Sequence, residues 1–300
     1  KGYKAILRGE LDNDAIFTHI FEPDVNDEEG DPETWRKVQP HLGVTVYEDF
    51  YKSEYQKALY SADDALEFRT KLLNIFASNS ATTWIEAKQI EERFKKVQIE
   101  NITSKPPTMV GVDLSVRDDF STVTYNLYSI DSKSFHSYTD YYFPEGALEK
   151  HPNCELYKGW VKAGYLKLCK GDIIDYQQIV DDILKKANNL CIMGIGYDPY
   201  KSAEFVNLLS SSVGGEADII NPVKQTYGTF TSPVESFEIA VYSNKISFDP
   251  NPITPYCFAN AVLDEDRNCN KKPIKKTHNA KIDSTITNLM TFHLFNNLTS

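Results

Sequence analysis

The chain has 300 residues, of which 41% are hydrophobic and 12% aromatic, so it can bury a sizeable core and is not disordered. Its formal net charge of −11 argues against a protein that holds nucleic acid by bulk positive charge. No apolar run approaches the roughly 18 residues that a membrane-spanning helix needs, which favours a soluble intracellular protein. The five Cys include no Cys-x-x-Cys pair, so we expect reduced thiols and no zinc site.

The apolar pattern of the first hundred residues predicts a smaller, mainly helical segment. Apolar spacing predicts two helices over residues 49–74, divided by an N-cap signal at residues 61–64, and a third helix over residues 84–94. The stretch 101–107 is polar and contains two prolines, which is typical of a linker. We therefore predict a domain boundary that separates residues 1–104 from residues 105–300.

The second part begins with three strand-like runs and then alternates helices with strands. The strands are predicted over residues 108–116, 119–131 and 134–143, followed by a helix over Tyr176–Ala187 and a buried strand over Cys191–Tyr197. This order favours an α/β fold of the ribonuclease H-like type, a mixed sheet flanked by helices. In that fold the first and fourth strands lie side by side.

The remaining elements complete the prediction. Capping-box spacing at Ser232 and Glu235, with Pro233 at the first helical position, predicts a helix over residues 234–243. The other predicted elements are a helix at 202–212, a strand at 217–222, a helix at 253–262 and a closing helix at 282–298.

Three aspartates stand at marked places in this pattern. Asp113 lies inside the first apolar strand, Asp198 follows the strand Cys191–Tyr197, and Asp283 starts the last helix. Each is 85 residues from the next along the chain, so only folding can bring the three together. A carboxylate in an apolar strand is costly unless it is compensated, and metal coordination is one compensation.

The chemistry that fits three such carboxylates is phosphodiester hydrolysis with two metal ions, which requires hard oxygen ligands. Carboxylate and water ligands suit Mg²⁺ or Mn²⁺. Simpler interpretations stay open, because Asp198 and Asp283 are also ordinary residues for a helix N-cap. Asp119 fits either a neighbour of the metal site or a turn. Lys281 fits either a partner for a carboxylate or phosphate or a surface lysine.

One segment is locally basic. Residues 267–281 carry six basic side chains and no acidic one. Such a run fits a contact to DNA phosphates, and a solvated lysine-rich loop is the simpler alternative. The candidate phosphate contacts are Arg267, Lys271, Lys272, Lys275 and Lys276.

Four sequence motifs together resemble the large terminase subunit of tailed bacteriophages. They are Val110-Gly-Val-Asp-Leu-Ser, the segment from Tyr142-Phe-Pro-Glu to Asp172-Ile-Ile-Asp-Tyr176, Gly196-Tyr-Asp-Pro-Tyr and Lys281-Ile-Asp-Ser. The resemblance implies a DNA-packaging nuclease in which Asp113, Asp198 and Asp283 bind two Mg²⁺ or Mn²⁺ ions.

The resemblance also sets expectations for the rest of the protein. Residues 1–104 resemble the tail of the family's ATPase half and its helical linker, whereas no Gly-Lys pair of a phosphate-binding loop occurs. ATP is therefore expected only in an upstream motor core. The implied partners are double-stranded DNA, a small terminase subunit and a portal ring, with no membrane, and the implied location is the cytoplasm of a bacterial host.

Two rival functions remain at this point. The nearer one is another ribonuclease H-like nuclease of the resolvase or transposase type. The other is a non-catalytic module that docks to a portal ring or small subunit, with the three aspartates merely capping helices.

Overall fold

The structure, a computed structural model, describes residues 17–24, 26–60, 62–75, 83–117, 119–200, 202–277 and 280–299. It divides into two compact units, Lys1–Ser80 and Ala81–Ser300. This division precedes the predicted boundary at residue 104 because Trp84 and Ile90 are buried in the core of the second unit. Among the described residues, no helix is both long and apolar enough to cross a membrane.

The first unit is helical. Its elements are α1 (Pro32–Val38), α2 (Glu48–Ala58) and α3 (Ala62–Glu67), which continues into one π-helical turn (Phe68–Leu72). Asp31 caps α1, because its side chain accepts a hydrogen bond from the Glu33 amide. The core of this unit is aromatic, with Trp35, Tyr51 and Phe68 buried. The two helices predicted over residues 49–74 correspond to α2 and to α3 with its π-helical turn.

The second unit is built on a mixed sheet. Its strands are β1 (Pro107–Asp113), β2 (Ser121–Ser129), β3 (Ser134–Pro144), β4 (Lys167–Cys169), β5 (Cys191–Tyr197), β6 (Ile220–Pro222) and β7 (Ile246–Phe248). The order is β4-β3-β2-β1-β5-β6, with β7 pairing to β3. β1, β2 and β3 form an antiparallel meander, and β5 runs parallel beside β1. The predicted ribonuclease H-like fold is confirmed, with β5 in the place of its fourth strand.

Helices cover both faces of the sheet. They are α4 (Ala87–Glu91), α5 (Glu145–Leu148), α6 (Cys154–Lys162), α7 (Tyr176–Ala187), α8 (Ala203–Val213), α9 (Tyr227–Tyr242), α10 (Ile253–Ala259) and α11 (Asp283–Thr299). α7 and α8 share a core with Val110, Val112 and Tyr125 on one face. α9 and α11 contribute to a core on the other face, with Met109. The sheet is therefore buried on both sides.

Two helix predictions were wrong in their bounds. α9 begins at Tyr227, where Thr226 caps it by accepting a hydrogen bond from the Thr229 amide. Pro233 therefore lies within the helix, and Ser232 is not its cap. The helix predicted over residues 84–94 shortens to α4.

The region after α10 also differs from the prediction. α10 ends at Ala259, and the chain then forms a two-stranded antiparallel hairpin of β8 (Ala261–Glu265) and β9 (Lys271–Lys275). The basic segment predicted as a loop thus contains a strand. The strand predicted over residues 217–222 is shorter as well, because a 3₁₀ turn (Gly214–Ile219) precedes β6.

Candidate metal centre

The ends of two neighbouring strands bring Asp113 and Asp198 together. β1 and β5 are parallel, and Val112 pairs with Tyr197. Asp113 is the last residue of β1, not a mid-strand residue as predicted, and Asp198 directly follows β5. Neighbouring strands lie about 4.8 Å apart, so the two aspartates sit side by side at one edge of the sheet.

Both side chains lie on the sheet face that α11 covers. A Cβ added to Gly111 would lie 2.2 Å from the Thr287 carbonyl oxygen, and one added to Gly196 would lie 3.3 Å from Leu294 Cδ1. Strand side chains alternate between faces, so residues two positions further along share the same face. Asp113 and Asp198 therefore face the helix that begins with Asp283.

A buried polar seam fixes α11 against the sheet. The helix packs Ser, Thr and Asn side chains against β2 and β3. Helix–sheet interfaces of this kind are usually apolar. Each buried polar pair that is hydrogen-bonded adds directional specificity that apolar packing lacks. The bonds join Thr124 Oγ1 to Thr287 Oγ1 at 2.6 Å, Asn126 Nδ2 to Thr291 Oγ1 at 3.0 Å, and Ser137 Oγ to Asn288 Oδ1 at 2.8 Å.

Asp283 carries a buried carboxylate that the protein compensates only in part. Its side chain is the first of α11, and the residue is 6% exposed. Within the described part of the chain, its Oδ2 atom has no hydrogen-bond partner. Burial, and then the charges of Asp119 and Asp113, raise the pKa of Asp283 well above its ordinary value. A buried, unpartnered carboxylate oxygen is costly, so Asp283 is an obvious ligand for a cation.

A cavity of about 220 Å³ adjoins Asp113 and Asp283. Asp113, Asp119, Asp283 and Gln225 line it. Burial, followed by the charges of Asp198 and Asp119, raises the pKa of Asp113 to about 7. The cavity therefore concentrates negative charge that the protein itself compensates only in part.

Asp119 is the carboxylate that the protein does compensate. Its two oxygens accept from Lys281 Nζ at 2.8 Å and from Lys275 Nζ at 3.0 Å. Burial alone would raise the pKa of Asp119, but the two lysines together lower it. The structure thus pairs Asp119 with Lys281, the two residues that the sequence marks as neighbours of the metal site.

Asp198 is held by two hydrogen bonds. Its Oδ1 atom accepts from the Tyr200 amide at 2.9 Å, and its Oδ2 atom accepts from Gln225 Nε2 at 2.6 Å. The N-cap of α8 is Ser202, so Asp198 does not cap that helix. Gln225 belongs to no recognisable sequence motif, and its contact with Asp198 was not predicted.

The predicted DNA-contact residues are spread along the β8–β9 hairpin. Lys275 reaches into the cavity, where it pairs with Asp119. Lys272 lies over the Tyr227 ring, 4.5 Å from its centroid, and Lys276 Nζ donates to Thr83 Oγ1 at 3.4 Å. Arg267, at the tip of the hairpin, is exposed, and Lys271 is partly buried.

The oxygen atoms that line the site suit a hard divalent cation, although the side chains are not yet arranged to coordinate one. In the described residues, no group of three His, Cys, Asp or Glu side chains already stands arranged to hold a metal. The fit rests on the unpartnered Oδ2 of Asp283 and on the accumulated charge at Asp113. Carboxylate oxygens with water are the ligands that Mg²⁺ and Mn²⁺ prefer.

Comparison with known proteins decides the family. The family model described as Terminase large subunit, endonuclease domain, matches residues 10–297. The chain belongs to this terminase family. Its resemblance to the large terminase subunit, inferred from the aspartate motifs, is thereby confirmed.

Individual relatives agree with this membership. Protein YmfN of Escherichia coli (strain K12) is 28% identical over 301 residues, which cover 95% of this chain and 64% of YmfN. The crystal structure of the HK97 bacteriophage large terminase has a TM-score of 0.62 at 20% identity, covering 97% of this chain and 59% of that one. The two therefore share a fold, and this chain spans less than two thirds of either relative.

A second similar structure is the large terminase nuclease from the thermophilic phage G20c. It has a TM-score of 0.45 at 8% identity, covering 71% of this chain and 97% of that one. A TM-score and an identity this low support no inference about the site of this chain.

Proposed function

We propose that this terminase-family chain is a metal-dependent DNA endonuclease that cuts concatemeric double-stranded DNA during viral genome packaging. One observation carries the proposal. The ends of β1 and β5 place Asp113 and Asp198 side by side, and α11 adds the buried carboxylate of Asp283 on the same face, with an Oδ2 atom that has no hydrogen-bond partner among the described residues. If the three aspartates had only a structural role, such as capping helices, their clustering at one place would have no explanation.

Asp113, Asp198 and Asp283 would hold two Mg²⁺ or Mn²⁺ ions. When bound, such ions supply an activated water and stabilise the leaving oxygen of phosphodiester hydrolysis. The protein contributes a rigid frame, because the polar seam under α11 fixes Asp283 and two hydrogen bonds fix Asp198. Lys275 and Lys281 add positive charge beside the same cavity, where a phosphate would approach.

We propose that the β8–β9 hairpin contacts the DNA backbone. It contributes Lys275 to the cavity wall and carries Arg267 and Lys271 further along. The acidic balance of the whole chain would keep its intrinsic affinity for DNA weak, which suits an enzyme that must not destroy the genome it packages. Submicromolar binding of this chain to duplex DNA at physiological salt would contradict that expectation.

The remaining expectations concern a longer protein. Because the chain spans 64% of YmfN and 59% of the HK97 large terminase, we propose an upstream ATP-dependent motor core outside it. A small terminase subunit and a portal ring as partners, and the cytoplasm of a bacterial host as location, are proposed on the same ground.

The test is cleavage of supercoiled plasmid with Mn²⁺ or Mg²⁺, beside reactions with EDTA. We expect metal-dependent nicking that Asp113→Ala abolishes. The matched control is Asp181→Ala, which removes an exposed aspartate on α7 and should cleave normally. A folded chain that neither cuts DNA nor binds Mn²⁺ would instead favour the non-catalytic docking module, and a preference for DNA junctions would favour a resolvase.

A further inference from the structure

We infer that Gln225 is a positioning residue that orients the Asp198 carboxylate for metal binding, an inference that rests on the proposed function. Gln225 Nε2 donates to Asp198 Oδ2 at 2.6 Å. Gln225 also lines the cavity that contains Asp113 and Asp283. One side chain thus contacts a candidate ligand and borders the space in which the cation would sit.

The position of Gln225 is fixed from both sides. Before it, the Val223 amide donates to the Tyr197 carbonyl at 2.8 Å, which extends the β5–β6 pairing. After it, Thr226 caps α9. Gln225 therefore sits in a short connection between a sheet edge and a helix start, and both ends of that connection are hydrogen-bonded. Such support restricts where its amide can point.

The two hydrogen bonds to Asp198 determine the rotation of its carboxylate. The Tyr200 amide binds Oδ1 and the Gln225 amide binds Oδ2, one donor to each oxygen. A carboxylate has about four acceptor positions, so two remain for other partners. Partners that orient a metal ligand in this way commonly govern the affinity of the metal site.

The chemistry of Gln225 differs from that of the lysines nearby. Lys275 and Lys281 hold Asp119 with ion pairs and so cancel its charge. An amide donates a hydrogen bond without adding a positive charge. Gln225 can therefore hold Asp198 in place while the negative charge that attracts a cation is retained. This contrast assigns Asp198 to metal binding and Asp119 to the lysines.

The test compares Gln225→Met with a matched control. Methionine keeps the length and much of the volume of glutamine and removes the donor. Gln177→Met is the control, because Gln177 Nε2 donates to Asp181 Oδ1 at 2.8 Å on α7, in an exposed Gln–Asp pair outside the cavity. Mn²⁺ affinity is measured by calorimetry, thermal midpoint by circular dichroism, and plasmid cleavage over a range of Mn²⁺ concentrations.

We expect Gln225→Met to weaken Mn²⁺ binding about 10- to 100-fold, with cleavage restored at high Mn²⁺ and the thermal midpoint nearly unchanged. Gln177→Met should match the unmodified chain. Equal Mn²⁺ affinity in all three chains would overturn the role of Gln225 and leave the proposed function standing. An unmodified chain that neither binds Mn²⁺ nor cuts would overturn the proposed function, and the role of Gln225 with it.

Discussion

Asp113 and Asp198 occupy the same register position on neighbouring parallel strands, and a β-bulge puts them there. Thr108 pairs with Ile192, but Met109 pairs with Gly194, so Met193 is an extra residue on β5. Without the bulge, Asp113 would lie opposite Tyr197, and the Asp198 side chain would face away from α11. The bulge thus brings Asp198 into register with Asp113.

The protonation of Asp113 should make the metal-free chain less stable as pH rises. Its pKa is about 7 in the folded state, against an ordinary value of 3.8. The folded state therefore keeps a proton that the unfolded state has lost. Its stabilising effect is fully present below pH 3.8 and disappears as pH rises through 7.

Chemical denaturation in EDTA at pH 5 and pH 8 measures this effect. Asp113→Asn removes the titrating group and also the charge that raises the pKa of Asp283. The free energy of unfolding of the unmodified chain should therefore fall relative to that of Asp113→Asn between the two pH values. No relative change between the two pH values would show that Asp113 is already ionised in the folded state at pH 5, and would contradict this prediction.

The close approach of α11 to β1 predicts that Gly111→Ala is damaging. An added Cβ would lie 2.2 Å from the Thr287 carbonyl oxygen, a backbone atom that cannot rotate away. We expect a loss of about 1–3 kcal/mol in the free energy of unfolding, together with weaker Mn²⁺ binding because α11 carries Asp283. Gly159→Ala in α6 is the control, since nothing lies within 4 Å of its added Cβ. Equal stability of Gly111→Ala and the unmodified chain would contradict the packing described for α11.

A buried ion pair on the opposite face of the sheet predicts a large effect on stability. Lys186 Nζ lies 2.7 Å from Asp140 Oδ2, and both residues are buried. Lys186→Met leaves Lys167, at 3.0 Å, as the ion-pair partner of Asp140 among the described residues, and should cost on the order of 3 kcal/mol in the free energy of unfolding. The neighbouring exposed Lys185→Met should change it by less than about 0.5 kcal/mol. Similar values for the two variants, measured by urea denaturation, would rule out a stabilising role for the buried pair.

The hairpin proposal predicts a change in salt dependence. Each lost phosphate contact should lower the slope of log affinity against log salt by about 0.9 for duplex DNA. We expect Lys271→Gln with Lys272→Gln to reduce cleavage and to flatten this slope. Lys162→Gln with Lys185→Gln removes the same charge from exposed positions outside the hairpin and serves as the control. An unchanged slope in the hairpin variant would remove the hairpin from the DNA interface.

Parts of this structure follow from sequence because they depend on local pattern. The apolar runs of β1 and β5 are long enough to predict, although the sequence pattern extends the first run past Asp113, where the structure ends β1. β7 has only three residues and is defined by its pairing with β3, so no local pattern reveals it. Pro233 suggests a helix start by propensity, whereas its burial in the core overrides that preference.

Gln225 shows the same limit at the site. Its role depends on a hydrogen bond to a residue 27 positions earlier, which only the β5–β6 pairing brings near. The pairing of Asp119 with Lys275 likewise spans 156 residues. Contacts of this kind depend on the tertiary structure, and they cannot be predicted from residue spacing or composition.

Titration of Mn²⁺ into the unmodified chain and Asp283→Asn at pH 8 tests the central claim most directly. Asparagine keeps the shape of the side chain and removes the charge, so a purely structural Asp283 should tolerate it. We predict that the unmodified chain and an Asp181→Asn control bind Mn²⁺, and that Asp283→Asn, still folded, binds it at least about 10-fold more weakly. Equal binding by Asp283→Asn, or no binding by the unmodified chain, would contradict a metal centre at this site.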